Sequence, residues 1–262
     1  MSNLNILIVE GNLRTENKNF KDVGIPTHTE SLKESLNYFN ENLNFDVVNP
    51  SSGENLQSIK SKLSSYDGLI WGGSSLNIYN DTPEIRNQIE FMKECQKNVK
   101  RILAICWGMQ VAVTAAGGEV KKGYGSHIGI ANKITINEQG LNHPLYKGKD
   151  RVFNSPAFNF DEVSQLPKGA ILLSSDKVNN VMGVIFNVGN SEVIGLQYHP
   201  DYEYFQMINL IAGRKERLFT NKNFLNEDEY ISHISYIKSE NELLNFKDRT
   251  CEVRNWLNYI KN

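Results

Sequence analysis

Short apolar runs alternate with longer segments in which apolar residues recur every three or four positions through the first part of the chain. Short continuous apolar runs are typical of strands that are buried on both faces of a parallel sheet. The predicted strands are residues 6–9, 45–48, 68–71 and 102–105. The predicted helices are residues 31–40, 55–63 and 84–97, and Pro83 opens the last of them. This alternation predicts a parallel sheet with right-handed helical crossovers.

The segment 10–29 interrupts this alternation. It is polar, contains glycine and proline, and is longer than an ordinary connection between a strand and a helix. We therefore predict a loop that shapes a site. His28 lies in this segment, and we interpret it either as an exposed polar residue or as part of a substrate entrance.

The pattern changes after residue 118, where short alternating or β-rich segments are separated by turns. These predicted strands or hairpins are residues 123–136, 152–153, 170–174, 181–186 and 193–197. Helical periodicity returns at 205–218 and 241–260, with a polar connection between them. We predict an α/β fold of three layers with a mostly parallel central sheet, a small antiparallel portion and a helical C-terminal extension. The expected division is a main domain at 1–204 and an extension at 205–262 that packs on it.

Composition and charge narrow the class of protein. A chain of 262 residues, 40% of them hydrophobic, can bury a full core. The net charge of −2 gives no reason to expect nucleic acid or a membrane surface as a partner. No apolar run approaches the roughly 20 residues that span a bilayer, and the apolar start of the chain is interpreted as a strand and not as a signal peptide. Three cysteines without metal-type spacing favour a reducing compartment, and we expect a cytoplasmic protein.

One of these cysteines follows a predicted buried strand and precedes a predicted helix. Cys106 is followed by Gly108, and a small residue allows the neighbouring backbone to approach a tight strand-to-helix turn. The N-terminus of the following helix favours the thiolate, which is the nucleophilic form of cysteine. The alternative is a buried cysteine that acts as a small hydrophobic residue, the more common setting of a single free cysteine. Cys95 and Cys251 fall in helical patterns and are interpreted as inert.

Two other predicted strands end in residues suited to amide hydrolysis. Gly72 and Gly73 follow one strand, and the strand at 193–197 is followed by His199 and Asp201. The carboxyl ends of parallel strands meet at one edge of a sheet, which is where ligands bind in open α/β proteins. Amide hydrolysis needs a nucleophile, a base that later protonates the leaving nitrogen, and donors for the oxyanion.

Four separated blocks resemble the class I, or triad, glutamine amidotransferases, and in particular stand-alone proteins similar to the amidotransferase domain of GMP synthase. The resemblance covers roughly residues 5–210, and its blocks are residues 67–74, 105–110, 155–163 and 195–201. It implies a catalytic triad of Cys106 as nucleophile, His199 as base and Asp201 as the carboxylate that orients it. It further implies an oxyanion hole at Gly73 and Trp107, with Gly72 and Gln110 as substrate-binding residues.

The chain departs from the family pattern at three positions. Ala104 replaces the usual glycine before the nucleophile, and Met109 stands where histidine is common. Asp201 replaces glutamate, so its carboxylate lies one methylene closer to the backbone. Glu203 is the alternative orienting residue for His199.

Three functions follow from the resemblance. The leading one is a glutaminase or amidotransferase that supplies ammonia to a synthetase on a separate chain, since no P-loop pattern occurs here. The second is a γ-glutamyl peptidase or hydrolase, and the third is a catalytically weakened regulatory protein. We expect no cofactor and no catalytic metal, because His127, His143 and His233 lack partners at metal-ligand spacing. An oligomeric assembly stays open.

Overall fold

The computed structural model describes residues 3–40, 42–53, 55–243 and 245–261. The strands are β1 Leu4–Val9, β2 Leu43–Val48, β3 Gly68–Trp71, β4 Arg101–Ile105, β5 Glu119–Ile128, β6 Ala131–Ile136, β7 Val152–Ser155, β8 Phe158–Gln165, β9 Ile171–Ser175, β10 Gly183–Val188 and β11 Ser191–Leu196. The helices are α1 Arg14–Asp22, α2 His28–Phe39, α3 Leu56–Lys60, α4 Pro83–Asn98, α5 Trp107–Ala115, α6 Glu138–Leu141, α7 Tyr204–Gly213, α8 Lys215–Thr220, α9 Glu227–Leu243, α10 Phe246–Arg249 and α11 Cys251–Ile260.

Nine strands form one mixed sheet in the order β2-β1-β3-β4-β11-β10-β9-β6-β7. The pairs from β2 through β11 are parallel, and the remaining pairs are antiparallel. A separate antiparallel sheet contains β5 and β8. The predicted three-layer α/β fold with a mostly parallel centre, a small antiparallel sheet and C-terminal helices is confirmed.

The register of the central strands brings three strand ends together. Trp71 of β3 pairs with Ala104 of β4, and Leu196 of β11 pairs with Ile105. The residues that follow these strands therefore lie at the same edge of the sheet, as expected for a ligand site in this fold.

Two hydrophobic clusters hold these strands in place. Along β1, Leu7 and Val9 pack into one cluster and Ile6 and Ile8 pack into the other, and all four are fully buried. Burying such a side chain contributes roughly 1.5–3 kcal/mol. Trp256 of α11 belongs to the same cluster as Ile6, so the C-terminal helix packs directly on the sheet.

The prediction of a continuous loop at 10–29 is wrong, because this segment contains α1. That helix buries only Phe20 among its side chains, so its sequence carries little apolar periodicity. Gly24, with φ of 72°, lies just beyond its C-terminal end.

The C-terminal helices also differ from their predicted bounds. The predicted helix at 205–218 is divided into α7 and α8, and the polar connection that we expected contains α9. Ile237 is the buried residue of α9, so this helix is polar on most of its surface. The boundary expected at residue 204 stays a prediction. Every helix in the described part of the chain is too short or too polar to cross a membrane.

Candidate active site

The turn between β4 and α5 holds Cys106 in a strained conformation. Its φ is 52° and its ψ is −104°, and its backbone N–H donates to the carbonyl oxygen of Leu196 at 2.6 Å. A Cβ on Gly108 would lie 2.4 Å from the carbonyl oxygen of Trp71, so only glycine fits there. The N–H of Gly108 donates to the carbonyl of Gly72 at 3.2 Å. The turn is therefore tied to both neighbouring strands, which is how a structure maintains local strain.

His199 and Asp201 lie beside this cysteine after β11. The Nδ1 atom of His199 contacts Oδ1 of Asp201 at 3.1 Å, and both side chains are buried. Burial disfavours the charged imidazole, but the neighbouring Cys106 and Asp201 together raise the pKa of His199 to about 10. Burial likewise opposes ionisation of Asp201, but His199 and then His28 hold the pKa of its carboxyl well below its usual range. This arrangement can hold a protonated imidazole next to a thiolate.

Glu203, the alternative orienting residue, has other partners. Its side chain contacts Nη2 of Arg249 at 3.3 Å and takes part in a capping box at the start of α7. The same guanidinium donates to the carbonyl oxygens of Pro200 and Tyr202 at 2.8 and 3.0 Å. The carboxylate in contact with His199 is therefore that of Asp201.

The two predicted oxyanion donors lie on either side of the cysteine. Gly73 is closely covered, because a Cβ there would lie 2.5 Å from Cε1 of His28 and 2.8 Å from Cε1 of His199. Trp107 occupies the first turn of α5, where helical N–H groups have no intrahelical acceptor. Within the described ranges, neither the Gly73 nor the Trp107 backbone N–H donates to another protein group. Both donors are available to a bound carbonyl oxygen.

Two glutamines join the helix after the cysteine to the strand before the histidine. Gln110 Nε2 donates to Oε1 of Gln197 at 3.3 Å, and Gln197 Nε2 lies 3.5 Å from Sγ of Cys106. Gln110 was predicted as a substrate-binding residue. Gln197 was not, although it lies only two residues before His199 in the sequence.

A narrow cavity of ≈ 40 Å³ opens onto Cys106. Residues of its lining include Ser74, Asn77, Cys106, Gln110, Asp161 and Arg214.

The cavity contains one carboxylate that sequence reasoning did not single out. Asp161 is buried and accepts hydrogen bonds from Asn77 Nδ2 at 2.9 Å and from the Tyr79 hydroxyl at 3.0 Å. Burial raises the pKa of this carboxyl, although the two donors lower it in part. No lysine or arginine of the described residues forms an ion pair with it. A buried carboxylate with neutral partners is suited to bind a cationic group of a ligand.

Arg214 brings the C-terminal segment to the same cavity. Its Nη2 contacts Glu16 Oε1 at 2.7 Å and the Ser75 hydroxyl at 2.5 Å. One wall of the cavity is therefore tied to α1 at one end of the chain and to the α7–α8 junction at the other. No sequence pattern pointed to this contact, because its partners are 198 residues apart.

The remaining histidines and cysteines have structural surroundings. His28 is 4% exposed, so its interpretation as an exposed residue is wrong. His127 lies between Asn159 Oδ1 at 2.9 Å and Asp176 Oδ2 at 2.7 Å. Cys95 and Cys251 are free and buried, and burial raises the pKa of both thiols.

Comparison with known proteins identifies the family. A family model described as glutamine amidotransferase class-I matches residues 24–207. The chain belongs to this family. A γ-glutamyl-L-1-hydroxyisopropylamide hydrolase from a Pseudomonas species is 28% identical and spans 99% of this chain and 94% of its own length. The glutamine-hydrolysing subunit of GMP synthase from Sulfurisphaera tokodaii is 25% identical over 54% of this chain and 71% of its own.

The fold has close solved counterparts. The crystal structure of a glutamine amidotransferase from Thermotoga maritima aligns with a TM-score of 0.71 over 99% of both chains, at 18% identity. The predicted resemblance to the class I glutamine amidotransferases is thus confirmed, and the protein is an amide hydrolase of the type that uses a cysteine nucleophile.

Proposed function

We propose that this enzyme hydrolyses the γ-amide bond of a γ-glutamyl compound through a thioester on Cys106. The observation that carries the proposal is a strained cysteine at a helix N-terminus whose neighbouring histidine contacts a buried carboxylate. The elevated pKa of His199 favours an imidazolium–thiolate pair at neutral pH. The resting enzyme then already holds the nucleophile and the acid that the first step requires.

In the first step the Cys106 thiolate attacks the γ-carbonyl carbon, and the C=O π electrons move to the oxygen. The N–H groups of Gly73 and Trp107 donate to the resulting oxyanion. The oxyanion collapses, the C–N bond breaks, and the His199 imidazolium gives its proton to the departing nitrogen. The amine leaves and the γ-glutamyl group stays on sulfur as a thioester.

In the second step neutral His199 takes a proton from water. The hydroxide so formed adds to the thioester carbonyl, the C–S bond breaks, and glutamate is released. Cys106 returns as a thiolate beside protonated His199, so the enzyme is restored. Asp201 holds the imidazole through Nδ1 in both steps, which fixes its orientation and tautomer.

Substrate binding is assigned to the cavity beside Cys106. Asp161 would pair with the α-ammonium of the γ-glutamyl group, since its buried carboxylate has only neutral hydrogen-bond donors. Gln110 and Gly72 would contribute polar contacts near the γ-carbonyl, as the resemblance implies.

The leaving group separates two candidate reactions. Glutamine, which releases ammonia, fits the small volume of ≈ 40 Å³ above Cys106. In that case the ammonia would pass to a synthetase on a separate chain, as the similarity to the GMP synthase protein of Sulfurisphaera tokodaii suggests. The second candidate is a larger γ-glutamyl amide or peptide, and the nearly end-to-end similarity to a γ-glutamyl amide hydrolase favours it.

A substrate screen distinguishes these candidates. The purified protein and its Cys106→Ala variant would be incubated with glutamine, γ-glutamyl dipeptides and γ-glutamyl alkylamides, while released glutamate, ammonia and amine are measured. We expect glutamate release that requires Cys106, with the preferred substrate identifying the leaving group. Equal and negligible release by both proteins on every substrate would contradict the proposal and favour a regulatory protein. Stimulation of ammonia release by an added synthetase would identify an amidotransferase that works with a partner chain.

A further inference from the structure

Two buried polar atoms next to the triad face each other without a hydrogen bond. Asp201 uses Oδ1 to contact His199, whereas its Oδ2 has no hydrogen-bond partner in the described structure. Nδ1 of His28 is buried and unpartnered in the same way, and it lies 3.6 Å from that Oδ2. A buried carboxylate oxygen without a donor is costly, so this pair of atoms calls for a physical account.

The gap between these atoms excludes a bridging water. A water between them would need two hydrogen bonds of about 2.8 Å each, and 3.6 Å leaves no room for it. The separation is also slightly too long for a direct hydrogen bond. A small rotation of the carboxylate or of the imidazole closes it, and His28 is the donor that faces Oδ2.

The surroundings of His28 fix its ring in this orientation. The ring stacks on that of His199, with centroids 5.3 Å apart and an interplanar angle of 22°, and the edge of Tyr202 packs against it at 4.8 Å. His28 is the first residue of α2, whose N-terminus is closed by a capping box of Thr27 and Glu30. The helix therefore presents the imidazole from a rigid start.

A second contact joins the same helix to the same aspartate, because the Ser31 hydroxyl donates to the backbone carbonyl of Asp201. We propose that His28 is a positioning residue that donates from Nδ1 to Oδ2 of Asp201 and holds this carboxylate against His199. Asp201 is one methylene shorter than the glutamate of the family pattern, and the donor on α2 compensates for the shorter reach. The inference rests on the proposed role of Asp201 in the triad.

Two substitutions at His28 separate hydrogen bonding from packing. His28→Leu removes the donor, and we expect it to lower kcat about tenfold with KM little changed, since a hydrogen bond to a charged group is lost. His28→Asn keeps an N–H donor near the position of Nδ1 and should stay within about threefold of the wild type. Phe20→Leu is the matched control, because Phe20 packs on the same ring at 5.7 Å but donates nothing.

A second readout does not require the substrate. The rate of Cys106 alkylation by iodoacetamide at pH 6.5, followed by mass spectrometry of the Cys106 peptide, reports the imidazolium–thiolate pair. We expect His28→Leu to slow this reaction about tenfold and His28→Asn to restore it. Slower alkylation without turnover of any γ-glutamyl compound would refute the proposed substrate but support the role of His28. Equal rates for the Leu and Asn variants, or an equal loss in Phe20→Leu, would overturn the inference.

Discussion

Asp161 offers the sharpest test of how the cavity binds its substrate. Asp161→Asn removes the negative charge but keeps the shape, and the new amide can still accept from Asn77 and donate to the Tyr79 oxygen. If the carboxylate pairs with an α-ammonium, the variant loses a charge-assisted contact of about 1.5–3 kcal/mol. That corresponds to a fall of about 10- to 100-fold in kcat/KM.

The assay compares glutamine with glutaramate, which lacks the α-amino group. The wild type should prefer glutamine, and Asp161→Asn should lose this preference because only the ammonium contact is removed. If the preferred substrate carries a larger amine, the matching γ-glutamyl and glutaryl amides replace this pair. An equal fall on both compounds would refute the assignment of Asp161 to the ammonium.

Stability provides an independent sign for the same substitution. Burial raises the pKa of Asp161, so the folded protein keeps this proton to higher pH than the unfolded chain. The stability linked to this group is full below the unfolded pKa and is lost as pH rises through the raised folded value. At neutral pH the ionised group therefore destabilises the fold, and Asp161→Asn should leave Tm unchanged or raise it.

Asp176 is the matched control with the opposite sign. Burial opposes its ionisation, but His127 and the backbone N–H groups of Asn179 and Val178 lower its pKa. Its contribution is present above the unfolded pKa and is lost as pH falls through the folded value. Asp176→Asn should therefore cost about 3–5 kcal/mol at neutral pH, because a buried pair is broken. A Tm loss in Asp161→Asn as large as that in Asp176→Asn would contradict the stability argument.

Two further substitutions test the rest of the site. Gly73→Ala adds a Cβ 2.5 Å from His28 and 2.8 Å from His199, so we expect a loss of about 1–3 kcal/mol in stability and a large loss of kcat, measured by thermal unfolding and steady-state kinetics; unchanged kinetics would show that the approach of the two rings is not needed. Asp201→Asn should reduce kcat about 100-fold or more, whereas Glu203→Gln should change kcat less than threefold and mainly weaken the contact to Arg249. The reverse order would assign the orienting carboxylate to Glu203.

The central sheet could be predicted because its strands are short, apolar and buried on both faces. The strand before Cys106 and the strand before Gly72 were both recognised in this way. Helix α1 escaped prediction because it buries only Phe20, and α9 escaped because Ile237 is its buried residue. In both helices the surface is polar on most sides, so hydrophobic periodicity carries little information.

The candidate site was predictable only as far as its residues follow strand ends or match a family motif. Cys106 and His199 satisfy both conditions, and their proposed roles await experiment. Asp161 lies within a matched block, but its burial depends on Asn77 and Tyr79, which are more than 80 residues away. Burial of His28 depends on contacts with the segment after β11, and no local pattern reports such long-range packing.

The contact between Arg214 and Glu16 has a consequence for how such enzymes diverge. Both residues lie outside the family match at 24–207, whereas the cysteine, the histidine and the sheet strands that carry them lie inside it. Changes in these terminal segments can therefore alter the wall of the cavity while the reacting groups stay in place. A lineage could acquire a new leaving-group preference by exchanging its two ends, with the hydrolytic chemistry inherited unchanged.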